Sequence, residues 1–253
     1  MMTRLKEVLK RGFERPLIGF SVYDYFGAKL VDKFEEVDFV LVGDSLSMVF
    51  KGRPDVRHVD MDDMLYHLEI VRHVIKDKPV ILDMPLGSYE DPMKAYENVS
   101  KAIYRGADGV MIEGIYRSTM EMLSDEDIDF IVHLGYKPKY DEKPRIYRDY
   151  NSLLREAILC QELGAEAIKL ELVESNVAKM VKEKLDIPVL GVGSGPYLDG
   201  HILVLYDFLG MYPDLKARFV RRYIDLFSLA EEALSKLIKD IISGSYPSTN
   251  EFY

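Results

Sequence analysis

Four apolar runs in this chain each end on a single carboxylate: Val40-Leu-Val-Gly-Asp44, Val80-Ile-Leu-Asp83, Val110-Met-Ile-Glu113 and Ala167-Ile-Lys-Leu-Glu171. A carboxylate at the tip of a buried strand is costly to desolvate unless a metal, a cation or a reaction uses it. Each is a short β-type run, and a helical pattern comes after it. Strand-then-helix repetition with an acid at the strand's C-terminal end describes one rim of an α/β barrel. In that architecture the chemistry sits where the strands end and the opposite face serves stability.

The rest of the chain keeps the alternation. Pro16–Val22, Asp38–Gly43, Pro79–Asp83, Asp108–Glu113, Ile128–His133, Ala167–Glu171, Pro188–Gly193 and Ile202–Tyr206 read as eight strands. Between them lie helical patterns, such as the one from Asp60 with Met64, Leu68, Val71 and Ile75 on one face. The expected fold is a single (β/α)8 TIM barrel over 1–253, with an amphipathic N-terminal helix within Met1–Lys10 and a long closing helix. In that last helix Tyr223, Phe227, Ala230, Leu234, Leu237 and Ile241 are spaced four and three apart, a face to pack on the barrel or on another subunit. The segment Lys137–Arg148 holds seven charged residues and two prolines, the composition of a solvated, mobile flap.

Composition narrows the partners. The formal charge of −10, with no basic block, argues against nucleic acid and anionic membranes. Cys160 is the only cysteine, so no internal disulfide can form. No apolar run approaches the roughly 20 residues that span a bilayer, and the N-terminus lacks the apolar core of a signal peptide. A cytoplasmic protein is the expected reading.

Asp44 and Asp83 are the foremost metal candidates. Carboxylates on neighbouring strand tips repel unless a cation lies between them, and oxygen ligands without paired Cys or His suit Mg²⁺. Either aspartate alone would read as a cap of the next helix or turn; the pair favours the ion. Glu113 either completes that site or pairs with Arg117, four residues on. Glu171, behind Ala167, Ile168 and Leu170, suits a general base raised by an apolar surround, with a pair to Lys169 as the alternative. His133 closes its strand as His-Leu-Gly135, a position more often filled by a hydrogen-bonded core residue than by a catalyst. The turn Gly191-Val-Gly-Ser-Gly-Pro196 comes after the seventh strand, where many barrels bind phosphate, but glycines alone are weak evidence.

In order and spacing, these segments resemble ketopantoate hydroxymethyltransferase (3-methyl-2-oxobutanoate hydroxymethyltransferase) nearly end to end. The carrying motifs are Tyr23-Asp-Tyr25, Val42-Gly-Asp-Ser-Leu46, Asp62-Asp-Met-Leu-Tyr-His67, Asp83-Met-Pro85 with Ser88-Tyr89, and His133-Leu-Gly135. Leu170-Glu171, Gly191–Pro196 and Asp199-Gly200 through Leu203-Val-Leu-Tyr-Asp207 complete them. The resemblance implies a Mg²⁺-dependent enzyme of pantothenate and coenzyme A biosynthesis. It would move a one-carbon unit from 5,10-methylenetetrahydrofolate, or a modified pterin, onto 3-methyl-2-oxobutanoate. It also implies magnesium at Asp44, Asp83 and Glu113, substrate contact at Ser45, a proton acceptor at Glu171, and a homo-oligomer, often a decamer. The partners are then a small 2-oxo acid, which Asp44, Ser45, Asp83, His133 and Lys169 would bind, and a folate-type donor.

One departure stands out. The family carries lysine two residues before the strand-four glutamate, against the bound keto acid, and this chain has Met111. A thioether cannot offset the substrate's negative charge. Lys169 is the expected substitute, because it stands two before Glu171 as Met111 stands two before Glu113. Arg148 is the best match to an arginine of the family's loop after the fifth strand. Two other readings stay open: a related barrel that makes or breaks C–C bonds in another 2-oxo acid, and a non-catalytic paralogue.

Overall fold

The computed structural model describes residues 2–215 and 217–253. They divide into two compact units, 1–205 and 206–253, each described by itself.

The first unit opens with helix α1 (Arg4–Lys10), capped by the Thr3 side chain. Strand β1 (Leu17–Ser21), helix α2 (Tyr25–Asp32), strand β2 (Phe39–Val42), the short helix α3 (Leu46–Val49) and helix α4 (Met61–Val74) come next. The alternation continues through β3 (Val80–Asp83), α5 (Pro92–Tyr104), β4 (Gly109–Glu113), α6 (Arg117–Asp125) and β5 (Phe130–Gly135). It ends with α7 (Tyr150–Glu162), β6 (Ala167–Glu171), α8 (Ser175–Lys182), β7 (Val189–Val192) and β8 (Gly200–Val204). The strands close into a parallel barrel in chain order, β8 returning to pair with β1. The expected (β/α)8 architecture is present.

Local chemistry explains the helix starts. Asp24, Asp60, Asp91 and Asp149 each accept a hydrogen bond from a first-turn backbone N–H of α2, α4, α5 and α7, satisfying donors the helix cannot. Strands β2 to β5 are buried along their whole length, because helices cover one face and the barrel interior the other.

Inside the barrel, Leu17, Phe39, Leu41, Ile81, Met111, Ile131, Ala167, Leu190 and Ile202 form one apolar core, and Leu5, Val8 and Leu9 of α1 join it. The N-terminal helix therefore plugs the N-terminal mouth. Gly109 permits the close approach, since a Cβ there would stand 2.6 Å from Leu5 Cδ2.

Strands β5 and β8 are each displaced by two residues from expectation. β5 begins at Phe130, because Asp129 turns its carboxylate to Lys6, at 3.2 Å, and to the Thr3 hydroxyl. β8 begins at Gly200, and Leu205–Phe208, expected partly as strand, is the short helix α9. The signal at Gly200 is packing: a Cβ would meet Leu17 Cβ at 2.6 Å and Leu190 Cδ2 at 2.9 Å.

In the second unit, helix α10 (Leu226–Ser243) starts on an Asp225 cap and stops at Gly244, whose φ of 75° suits glycine. Its Leu234, Leu237, Ile238 and Ile241 are exposed. No described helix is long and apolar enough to cross a membrane.

Candidate active site

Period-two alternation turns every second strand residue into the barrel, so a core residue's position two places on in the chain lies in the next ring above it. Above Ile81, Met111, Ile131 and Ala167 stand Asp83, Glu113, His133 and Lys169, with Glu171 and Asp44 beyond them at the C-terminal mouth. Residues far apart in number meet there. His133 Nδ1 is 3.2 Å from Glu113 Oε2, and its Nε2 is 3.4 Å from Glu171 Oε2. Lys169 Nζ lies 2.8 Å from the same Glu171 oxygen and 3.5 Å from His133 Nδ1.

A residue that sequence reasoning missed lies at the centre. Lys139 is buried, and its ammonium donates to Asp83 Oδ1 at 2.7 Å and to Met84 O at 2.9 Å. The same nitrogen is 3.4 Å from Asp44 Oδ2, and the Lys139 backbone N–H donates to Glu113 Oε1 at 3.0 Å. This corrects the reading of Lys137–Arg148 as a solvated flap. Glu142, Lys143 and Arg145 are exposed, but the acids of the mouth draw Lys139 inward. The chain on entering the segment and near its end is tied to the C-terminal end of β6 and the residue after it, through Tyr136 N–H to Glu171 O and Tyr147 N–H to Leu172 O, each 2.8 Å. Lys139 is one of seven charges in a loop, so nothing in its spacing singles it out.

Electrostatics reflect charge crowded into a dry place. Burial, reinforced by neighbouring Asp83, pushes the Asp44 carboxyl well above the usual carboxylate range, against the pull of Lys139. Burial also raises Glu113, again opposed by Lys139. Burial and the Lys169 charge depress His133 to about 3, so the imidazole is neutral at ordinary pH. Burial alone would lower the Lys139 ammonium, but Asp83 and Asp44 outweigh it and hold it well above an ordinary lysine. Lys169 is raised in the same way, chiefly by Glu171 and Asp83.

The carboxylates suit a hard cation by donor type. Asp44 Oδ2 and Glu113 Oε2 are buried and receive no hydrogen bond, although Lys139 Nζ lies 3.4 Å from the first and His133 Nδ1 3.2 Å from the second. As they stand the acids are arrayed around Lys139, and among the described residues no three His, Cys, Asp or Glu side chains are gathered at ligating geometry.

The remaining expected site residues fall in different places. Asp44 and Asp83 do converge, on one ammonium. Glu113 is not partnered by Arg117, which faces Glu121 at 3.4 Å. Glu171 does not sit in an apolar surround: its neighbours are an ammonium and an imidazole. Ser45 lies at the mouth, its hydroxyl bonded to that of Tyr23, while His67 Nδ1 meets Tyr23 O at 2.7 Å. Met111 is wholly buried in the apolar core below the acids. Arg148 is exposed. In the Gly191–Pro196 turn, Ser194 is committed to the fold, donating to Leu170 O at 2.9 Å and accepting from Val173 N–H at 3.1 Å.

A second set of acids rings the N-terminal mouth. Asp38, Asp108, Asp129 and Asp199 pair with Arg15, Arg72, Lys6 and Lys182 at 2.6, 3.3, 3.2 and 2.9 Å. Asp38, Asp108 and Asp199 also accept the backbone N–H of Ile18, Val80 and Val189, each at 2.9 Å, joining neighbouring strands. These acids have cations of their own on arginine and lysine stems, as a structural role requires.

The family model for ketopantoate hydroxymethyltransferase matches residues 2–249. A 3-methyl-2-oxobutanoate hydroxymethyltransferase from Caldicellulosiruptor saccharolyticus is 38% identical over 243 residues, 92% of each chain. One of the same name from Pyrococcus abyssi is 36% identical over 262 residues, covering 100% of this chain and 92% of its own. Among solved structures, 2,3-dimethylmalate lyase superposes with a TM-score of 0.66 at 16% identity, over 98% of this chain and 92% of that one. Phosphonopyruvate hydrolase in complex with oxalate and Mg²⁺ gives 0.65 at 14% identity, over 99% and 93%. Identities this low speak for the fold alone.

Proposed function

The chain belongs to the ketopantoate hydroxymethyltransferase family, a family of transferases, and on that premise we propose that it hydroxymethylates 3-methyl-2-oxobutanoate with Mg²⁺ and a reduced folate-type donor. The donor is 5,10-methylenetetrahydrofolate or a modified pterin. One observation carries the reading: Asp44, just beyond β2, and Asp83, at the end of β3, share a single buried cation, with Glu113 beside it.

Asp44, Asp83 and Glu113 are the residues that would hold the metal. Bound there, Mg²⁺ supplies Lewis-acid polarisation of a 2-oxo acid and so acidifies its C3–H. Glu171 takes the C3 proton. His133, neutral and close to both Glu113 and Glu171, orients the two carboxylates without adding charge. Lys169 offsets the substrate carboxylate in place of the strand-four lysine that Met111 replaces. Ser45, held by the Tyr23 hydroxyl, contacts the keto acid at the edge of the mouth. Homo-oligomerisation belongs to the same proposal, supported by the exposed apolar positions of α10. Light scattering that shows a monomer at every concentration would refute it.

The decisive experiment omits the donor. With Mg²⁺ in deuterated water, the protein should exchange the C3 proton of 3-methyl-2-oxobutanoate, and Glu171→Gln should slow exchange by about 10²–10⁴-fold. No exchange by the parent protein, or full exchange by the variant, would sink the reading.

A further inference from the structure

The acids at the C-terminal mouth already have a cation: the ammonium of Lys139. We propose that Lys139 is a tethered counter-ion of this site, and that its ammonium and a divalent ion occupy the Asp44–Asp83 gap by turns, never together. The proposal rests on the functional reading above only for the divalent ion. The place of the ammonium is read from distances.

One residue touches all three prospective ligands. Its Nζ is 2.7 Å from Asp83 Oδ1 and 3.4 Å from Asp44 Oδ2, and its backbone N–H reaches Glu113 Oε1 at 3.0 Å. The ammonium also donates to Met84 O at 2.9 Å. The site's other ammonium, Lys169, is engaged by Glu171 at 2.8 Å, so the charge in the gap is that of Lys139.

An ammonium leaves the site incomplete. It has three donors in fixed directions, and Asp44 Oδ2 and Glu113 Oε2 stay without a hydrogen bond. A divalent ion with six positions at about 2.1 Å would use those oxygens, and the space it needs is where Nζ sits. Two cations within the same carboxylate gap repel each other. Exchange between them therefore keeps a cation between Asp44 and Asp83 in either state.

The geometry also shows how the exchange works. The Lys139 backbone amide can keep Glu113 Oε1 while the flexible side chain swings away from Asp83 and Asp44, opening the gap between them to the ion. Next in the chain, the Tyr140 hydroxyl is fixed by Tyr116 at 2.7 Å and by Tyr89 at 3.2 Å, so the backbone of this segment need not open. Metal-free protein then keeps its acids apart without unfolding the mouth. The measured affinity for the ion is lowered by the fraction of molecules in which Lys139 is seated.

The test compares the full-length chain with Lys139→Gln, both stripped with EDTA and titrated with Mg²⁺ by calorimetry. The variant should bind at least about tenfold more tightly, the gain expected if the ammonium holds the site nine times in ten. Equal affinity, or weaker binding by the variant, overturns the proposal and leaves the metal reading intact. Failure of both proteins to bind any Mg²⁺ overturns both. A second arm needs no variant: a pulse of acetic anhydride on the wild-type chain, read by mass spectrometry, with exposed lysines as the internal standard. Lys139 should be protected in EDTA and acetylated in saturating Mg²⁺. Protection that persists after the metal has bound overturns the proposal, even if Lys139→Gln does not fold.

Discussion

Two side chains bear on the charge of the proposed substrate. Met111 lies in the apolar core, where a long unbranched thioether fills space and a lone ammonium would be costly. Lys169 sits a layer higher, its ammonium stabilised by Glu171 and Asp83 against the cost of burial. Lys169→Ala should therefore lower kcat/KM for the keto acid about 10- to 100-fold, the loss expected when a charge-assisted hydrogen bond is removed. The double variant Lys169→Met with Met111→Lys should recover part of it. Unchanged kinetics in Lys169→Ala would show that the substrate's charge is met elsewhere. The five acids and bases Asp44, Asp83, Glu113, His133 and Glu171 are all legible in the sequence, because each ends or succeeds an apolar run and a strand tip has one place to go. Lys139 is not, because its position depends on what a loop folds onto.

Among the elements, strands carry acids at both ends, and only the fold shows why the two sets differ. At the N-terminal ends, Asp38, Asp108 and Asp199 tie one strand to the next and have arginine or lysine partners. Replacing Asp108 by Asn should cost roughly 1–3 kcal/mol of stability, read as a shift in the urea midpoint, with kcat unchanged. A fall in kcat at full stability would contradict a purely structural role. Strand β8 adds a pH dependence. Burial holds the His201 imidazole below its ordinary value of 6.5, so the unfolded chain takes up a proton that the folded barrel resists. Its contribution is fully present above pH 6.5 and is lost as pH falls below it. His201→Gln should flatten the slope of stability against pH on that acidic side; an identical slope would show that other groups set it. On α7, burial pushes the Cys160 thiol up to about 12, so thiol reagents at pH 8 should modify it only after denaturant unfolds the barrel.

At the scale of the whole molecule, the barrel is plugged at its N-terminal mouth by its own first helix and lined at the other by ionic side chains. Leu5, Val8 and Leu9 are continuous with the interior core, so α1 is part of the fold rather than an appendage. Leu5→Asp would bury a carboxylate among leucines, and thermal unfolding should show a loss of at least about 3 kcal/mol. A melting temperature unchanged by that substitution would mean that the helix does not seat there in solution. The second unit, residues 206–253, adds α10 and its exposed apolar face.

What the sequence determined by itself is the periodicity: eight β-type runs and their helices fix a parallel barrel, and the pleat then fixes which residues face inward. Strand-end acids are legible for that reason, since their surroundings are dictated by the next residues in the chain. The tertiary structure alone decided which charges meet. Asp129 lies just before a strand and Glu113 ends one, yet the first meets Lys6 and the second the backbone of Lys139. Coulomb interaction depends on distance through space, and the segment that brings Lys139 within 2.7 Å of Asp83 has no periodicity to announce where it will lie.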